Sequence, residues 1–196
     1  MYICLSQNFL TVFSGEPGTG KTSICNILAS SLGLKKFGEN NNISKNRYVP
    51  VSVERGWSSK RDLIGYFNPL TKKYDRNNAK IYDGLMILNE ERQESRFPYI
   101  ILLDEANLSP IEYYWADFMR AADSNENNVF INIGLEKDIY IPKTLHFLAT
   151  INNDQTTEEL SPRLIDRAWI VRLPKYTEKI SGIEVTDDID KYFKDI

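Results

Sequence analysis

Residues 9–22 read FLTVFSGEPGTGKT, an apolar segment that runs directly into a glycine-rich one. The second part fits the phosphate-binding pattern G-x-x-x-x-G-K-[ST], whose fixed places are Gly15, Gly20, Lys21 and Thr22. The apolar part predicts a buried strand, and residues 22–31 have the spacing of an amphipathic helix. A glycine-rich turn between a strand and a helix lets backbone N–H groups and the helix N-terminus converge on an anion. We therefore expect this segment to bind the phosphates of a nucleotide.

The predicted nucleotide contacts extend from the loop into the first turn of the helix: Gly15, Glu16, Pro17, Gly18, Thr19, Gly20, Lys21, Thr22 and Ser23. Lys21 is expected to reach the β- and γ-phosphates, and the Thr22 hydroxyl is expected to bind Mg²⁺. A glycine-rich loop can also match this pattern by chance. The strand before it and the helix after it favour the nucleotide.

Length and composition are those of one globular domain. The 196 residues are 42% hydrophobic and 26% charged, and no apolar run is long enough to span a membrane. A net charge of −3 argues against sequence-independent nucleic-acid binding by this segment alone. Cys4 and Cys25 lie in apolar surroundings without metal-ligand spacing. This favours core residues over a disulfide, and a reducing, cytoplasmic location.

Apolar segments that alternate with amphipathic ones predict a parallel α/β sheet with right-handed crossovers. After the first strand, further strands are predicted over 48–53, 99–103, 145–151 and 168–173, with a β-hairpin over 129–141. Helices are predicted over 22–31, 78–93, 111–122 and 161–166. Pro50 places its strand near an edge of the sheet, and Ser109-Pro110 predicts an N-cap followed by proline at the first helical position. Three aromatic side chains are expected to pack against the sheet: Trp57, Tyr66 and Phe67.

Chemically active side chains follow the ends of the predicted strands, where ligands bind in such sheets. Asp104 is expected to hold Mg²⁺ through water, and Glu105 to orient and deprotonate an attacking water. Asn152 suits a hydrogen-bond donor to the γ-phosphate or to that water. The alternatives are a pair of acids that solvate a strand end, and an asparagine that caps a helix or forms a turn.

Two arginines lie four residues apart near a short predicted helix. Arg163 and Arg167 therefore share one face of that helix or its end. One of them could act as an arginine finger on a neighbour's nucleotide, because a guanidinium suits the spread charge of a transferring phosphoryl group. The alternative is a solvated or salt-bridged surface arginine, with Asp166 as the nearby candidate partner.

With these residues placed, the chain resembles AAA+ ATPases of the dynein-related, McrB-like branch from about residue 9 to residue 173. The resemblance rests on five segments: 15–22, 56–69 (GWSSKRDLIGYFNP), 102–114 (LLDEANLSPIEYY), 147–157 (FLATINNDQTT) and 160–168 (LSPRLIDRA). Together these motifs are highly specific, whereas many unrelated families share the phosphate loop alone.

The resemblance implies a three-layer α/β/α P-loop NTPase fold. Its five-stranded parallel sheet has the order 5-1-4-3-2 in the family's strand numbering, with an inserted hairpin before the fourth strand. By position, residues 15–22 correspond to Walker A and Asp104-Glu105 to Walker B. Asn152 corresponds to the sensor-1 asparagine, and Arg167 to the arginine of the element that supplies the finger. The resemblance also implies ATP or GTP with Mg²⁺, and a hexameric homo-oligomeric ring.

The chain departs from the family pattern at its beginning, after its last predicted strand and at Glu16. It begins almost at the first strand, without the helix and effector domain that usually precede it in the family. Only 196 − 174 = 22 residues follow Pro174, too few for the family's helical lid domain. We therefore expect a nucleotide-binding core over 1–174, and over 175–196 an acidic tail that begins a missing lid or linker, as in a piece of a larger protein. Glu16, where a proline is common in the family, puts a negative charge near the phosphates.

These observations lead us to expect Mg²⁺-dependent binding and hydrolysis of a nucleoside triphosphate, ATP in the first place, by a ring-motor module. The resemblance suggests the motor part of a McrB-like restriction system, with a partner nuclease and DNA bound through other domains and no membrane. A GTP-specific motor and a nucleotide-responsive assembly module with negligible turnover stay open. A monomeric P-loop kinase lacks support, because Asn152 with Asp166-Arg167 favours the ring ATPases.

Overall fold

The computed structural model describes residues 9–35, 46–92, 97–123, 129–135, 138–154 and 157–175. Its strands are β1 (Leu10–Gly15), β2 (Tyr48–Ser52), β3 (Tyr66–Asn68), β4 (Lys73–Asp75), β5 (Tyr99–Asp104), β6 (Val129–Ile131), β7 (Ile139–Ile141), β8 (Leu145–Asn152) and β9 (Ala168–Arg172). Its α-helices are α1 (Lys21–Ser31), α2 (Lys60–Leu63), α3 (Ala79–Glu91), α4 (Ile111–Tyr114), α5 (Ala116–Asp123) and α6 (Pro162–Ile165). Cys4, which was predicted to be a core residue, and the predicted acidic tail beyond residue 175 lie outside the described residues.

Five strands form one parallel sheet in the order β2-β5-β8-β1-β9. Every neighbouring pair in it is parallel. Read from β9, this is the order 5-1-4-3-2, so the predicted P-loop α/β fold is confirmed. The strand that contains Pro50 lies at an edge, as predicted.

Both faces of the sheet are covered by apolar layers, which makes the fold three-layered. Successive residues of a strand point to opposite faces. Ile100 and Leu102 accordingly pack with α1 on one face. Ile101 and Leu103 pack on the other face, in the cluster that includes α3, α4 and α5. Cys25 is fully buried on the α1 side, as predicted.

The predicted hairpin over 129–141 is present as the antiparallel pair β6–β7. A second antiparallel pair, β3–β4, was not predicted. The expectation that three aromatic side chains pack against the sheet holds only for Trp57, which lies in the apolar cluster on one face of the sheet and meets the ring of Tyr114 of α4 edge-on. It is wrong for Tyr66 and Phe67, which lie on β3 and are 40% and 39% exposed.

The helix predicted over 111–122 is interrupted. Trp115 lies between α4 and α5 with φ −106° and ψ 9°, and its side chain is fully buried. Its indole packs against the rings of Phe147 on β8 and of Phe9, the residue before β1. The helix is therefore interrupted where this large side chain is buried in the core. Pro110 is the N-cap of α4 rather than its first helical residue. Ser109 instead donates a 2.8 Å hydrogen bond to the Glu54 carbonyl oxygen.

None of the helices in the described part of the chain has the length and apolar character needed to cross a lipid bilayer.

Candidate active site

The glycine-rich loop lies between the end of β1 and the start of α1. Gly18 and Gly20 have φ values of 81° and 80°, a left-handed conformation that glycine adopts without a steric cost. A Cβ atom at Gly15 would lie 3.0 Å from the Leu173 carbonyl oxygen and 3.0 Å from Thr19 Oγ1. These glycines are therefore required by the turn and by the close approach of the chain after β9.

Lys21, the first residue of α1, is folded back into the loop. Its Nζ donates hydrogen bonds to the carbonyl oxygens of Gly15 (2.9 Å) and Glu16 (2.8 Å). Burial lowers the pKa of Lys21, while the negative charges of Asp104, Glu105 and Asp154 act in the opposite direction. The loop thus holds a partly desolvated cation that faces the ends of β5 and β8, where an anionic ligand would be attracted.

Asp104, at the end of β5, is held by two hydroxyl groups. Its Oδ1 accepts hydrogen bonds from Thr22 Oγ1 (2.8 Å) and Thr150 Oγ1 (2.6 Å). A carboxylate beside a hydroxyl at a helix N-terminus fits Mg²⁺, which prefers oxygen ligands and keeps several waters and phosphate oxygens. No group of three His, Cys, Asp or Glu side chains suited to a metal occurs among the described residues. The residues here therefore fit Mg²⁺ that arrives with a nucleotide, and not a metal held by protein alone.

Glu105 has a left-handed backbone conformation, with φ 54° and ψ 44°. For a residue with a side chain this costs about 1–2 kcal/mol, and such strain concentrates at functional sites. The Glu105 N–H donates a 2.9 Å hydrogen bond to Thr150 Oγ1, which stabilises the unusual conformation. Thr150 therefore contacts both acids of the Asp-Glu pair.

Thr150 is a site residue that the sequence interpretation did not single out. It is 1% exposed and lies on β8, two residues before Asn152. Residues two apart on a strand point to the same face. A hydroxyl residue two positions before Asn152, in a mainly apolar strand, was the signal that could have identified it.

One cleft of ≈ 350 Å³ brings most of the predicted site residues together. It is lined by Pro17, Gly18, Gly20, Lys21, Thr22, Ser23, Asp104, Glu105, Thr150 and Asn152. Asn152 reaches it because β8 lies between β1 and β5, with Asn152 directly opposite Gly15 in the β1–β8 pairing.

Three predicted loop residues do not line this cleft. Gly15 belongs to β1, and Thr19 Oγ1 donates a 2.9 Å hydrogen bond to the Glu16 carbonyl oxygen. The Glu16 carboxylate forms an ion pair with Lys175, at 2.6 Å between Oε2 and Nζ. The charge that the sequence places near the phosphates is thus paired with a cation of the segment that follows β9.

The two arginines lie outside the cleft. Arg167 Nε donates a hydrogen bond to the Asp123 carboxylate at the end of α5, and its Nη1 donates to the Arg163 carbonyl oxygen at 2.7 Å. Asp166 was the candidate partner from the sequence, and this is wrong: the ion pair is made with Asp123. The two residues lie 44 positions apart, so a local reading could not find the pair.

A parallel sheet of this order, with a glycine-rich loop after β1 and an Asp-Glu pair at the end of β5, on the other side of the central strand β8, defines a P-loop nucleoside triphosphatase fold. A family model, that of the ATPase family associated with various cellular activities (AAA), matches residues 11–171. Because this match covers most of the chain, the protein belongs to the AAA family of ATPases, which bind and hydrolyse nucleotides. No curated protein matches the sequence significantly.

Proposed function

We propose that this chain binds and hydrolyses ATP with Mg²⁺ in the cleft between the 15–22 loop and the ends of β5 and β8. The observation that carries the proposal is that a single cleft is lined by Lys21, Thr22, Asp104, Glu105 and Asn152. A cation, a hydroxyl, two acids and an amide are the groups that phosphoryl transfer to water requires.

Lys21 and the amide groups of the loop bind the β- and γ-phosphates in this proposal. To do so, the Lys21 ammonium exchanges its hydrogen bonds to two loop carbonyl oxygens for bonds to phosphate oxygens. Thr22 and Asp104 hold Mg²⁺, and their 2.8 Å hydrogen bond supports a shared metal position. When bound, Mg²⁺ neutralises charge that develops on the phosphate oxygens.

Glu105 serves as the general base for water, and Asn152 orients that water or the γ-phosphate. The support for Glu105 is its place in the cleft and its fixed left-handed backbone. A backbone fixed at the edge of the cleft keeps the carboxylate within reach of a water beside the γ-phosphate, from which it can accept a proton.

Arg167 acts on the nucleotide of a neighbouring copy in a homo-oligomeric ring. The support is that Arg167 does not line the cleft of its own chain and that its guanidinium lies at the surface, beside Asp123. AAA domains commonly assemble into rings, which would bring such an arginine to the next subunit's cleft.

We further propose that the chain is a ring-motor module of the McrB-like branch, which acts with a nuclease subunit and DNA through other domains. The support is the set of motifs around residues 56–69, 102–114 and 147–168, which extends well beyond the phosphate loop. The groups that line the cleft suit phosphates and a metal ion. They do not distinguish adenine from guanine, so the choice between ATP and GTP requires a binding measurement.

Equilibrium binding of a fluorescent ATP analogue, followed by competition with ATP and GTP and by phosphate-release assays, tests this function. We expect Mg²⁺-dependent binding, stronger competition by ATP, and turnover. Stronger competition by GTP would make the chain a GTP-type motor. Tight binding with background phosphate release would make it an assembly module. Absence of binding would refute the proposal.

A further inference from the structure

Asn107 lies in a 3₁₀ turn, Ala106–Leu108, directly after the Asp-Glu pair, and is only 3% exposed. Its side-chain amide makes three hydrogen bonds to backbone. Its Nδ2 donates to the carbonyl oxygens of Asn152 (2.8 Å) and Glu158 (3.1 Å). Its Oδ1 accepts from the Asn152 N–H at 3.1 Å. A single buried side chain therefore holds both polar backbone groups of Asn152.

This network allows only one orientation of the Asn107 amide. Two carbonyl oxygens face Nδ2 and need donors, whereas the Asn152 N–H faces Oδ1 and needs an acceptor. A flipped amide would place donor against donor and acceptor against acceptor. The contact is therefore specific for a carboxamide, which carries both donors and an acceptor. A side chain that only accepts or only donates hydrogen bonds would leave backbone groups unpaired.

The position of this contact matters because the β5–β8 ladder ends before the site. The last paired residues are Leu103 and Ala149, so no strand pairing joins the segment that carries Glu105 to the end of β8. Beyond that pair, side chains connect this segment to β8 itself: Thr150 to the Asp-Glu pair, and Asn107 to Asn152. A backbone hydrogen bond from the Glu158 N–H to the Asn107 carbonyl oxygen joins the same turn to the segment after β8. On its other side, β8 stays paired with β1 as far as Asn152.

We propose that Asn107 is a positioning residue for hydrolysis, which fixes Asn152 relative to Glu105. This rests on the proposed function of the cleft. Asn107 does not line the nucleotide cleft and acts through the backbone of Asn152. Its loss should therefore change the rate of the chemical step more than it changes nucleotide affinity, because Lys21 and Thr22 keep their contacts.

The test compares Asn107→Ala with Asn89→Ala in the full chain, with Mg²⁺·ATP and equal protein concentrations. Asn89 is the matched control: its Oδ1 accepts a 2.8 Å hydrogen bond from the Tyr140 N–H, and it does not line the cleft. For Asn107→Ala we expect kcat at least tenfold below wild type, with the dissociation constant for the nucleotide within twofold. Asn89→Ala should keep both values within twofold.

A second variant covers the case in which Asn107→Ala does not fold. Asn107→Ser replaces the carboxamide with a small hydroxyl that can donate only one hydrogen bond, and it should show the same loss of kcat with unchanged affinity.

A kcat within twofold of wild type in the Asn107 variants would overturn the positioning role and leave the proposed function intact. Equal losses of kcat and affinity would mark Asn107 as a general structural residue and would also overturn it. A wild-type chain without binding or turnover would refute the proposed function, and this inference with it.

Discussion

The Thr22 hydroxyl donates a 2.8 Å hydrogen bond to Asp104 Oδ1, although the two residues lie 82 positions apart in the sequence. Thr22 belongs to the first turn of α1, and Asp104 is the last residue of β5. The bond joins the phosphate loop to the acidic strand end across β8. The proposed phosphate and Mg²⁺ positions are therefore parts of one site.

Removal of Mg²⁺ should weaken ATP binding if the Thr22–Asp104 pair holds the metal. We expect EDTA to weaken ATP binding by wild type at least tenfold, because the metal links the Thr22–Asp104 pair to the phosphates. Thr22→Val should bind weakly with or without Mg²⁺. Thr71→Val, a change at an exposed residue of the β3–β4 turn, should behave like wild type. Equal affinity of wild type with and without EDTA would contradict the metal assignment.

Nucleotide affinity should depend on pH through Lys21. Burial lowers the pKa of Lys21 from its ordinary value of 10.5, and only the protonated amine attracts phosphate. Affinity is therefore complete below the lowered pKa and is lost as the pH rises through it. Titration of ATP binding from neutral pH towards 10.5 should show this loss in wild type. Lys21→Ala should bind at least tenfold more weakly at neutral pH and lack this pH dependence; a parallel decline in both proteins would exclude Lys21 as its source.

Thr150 should matter for stability and for turnover, and Thr11 offers a matched control. Both threonines are 1% exposed, on the neighbouring strands β8 and β1. Thr150→Val removes a donor to Asp104 and an acceptor for the Glu105 N–H. It should lower the free energy of unfolding by about 1–3 kcal/mol and kcat at least tenfold.

Thr11 Oγ1 has no hydrogen-bond partner among the described residues. Thr11→Val should therefore leave the free energy of unfolding unchanged or raise it, and should leave kcat unchanged. Denaturant titration and phosphate release measure both quantities. Similar behaviour of the two valine variants would contradict the role of the Thr150 hydroxyl.

Arg167 can be tested by mixing two inactive variants. Arg167→Ala keeps an intact cleft, and Glu105→Gln keeps an intact Arg167. If Arg167 acts across an interface, each variant alone should be inactive and the mixture should recover activity. Specific activity of wild type should also rise with protein concentration. Arg163→Ala should stay active; its loss of turnover would move the finger to Arg163, and a mixture that stays inactive would count against action in trans.

The sequence predicted the sheet well because its strands are strongly apolar. β5 illustrates this: Tyr99 to Leu103 are fully buried, since the strand is covered on both faces. Strand order followed from the family resemblance rather than from periodicity. The β3–β4 pair escaped prediction because strands of three residues are too short to show a period of two.

The parts of the site that were missed depend on register and on distant contacts. Thr150 meets Asp104 because Leu103 pairs with Ala149, a register that one sequence does not reveal. The Arg167–Asp123 pair joins the end of α6 to the end of α5. Such pairs arise only once the sheet has brought separate segments together.

Glu105→Gln provides the most direct test of the central claim, that one cleft both binds and hydrolyses the triphosphate. The amide keeps the size of the side chain but cannot accept the proton of the attacking water. We predict unchanged affinity for Mg²⁺·ATP and phosphate release at least a hundredfold below wild type, within the range expected for loss of a general base. Glu90→Gln, at an exposed position on α3, should match wild type in both measurements. Normal turnover by Glu105→Gln would contradict the account.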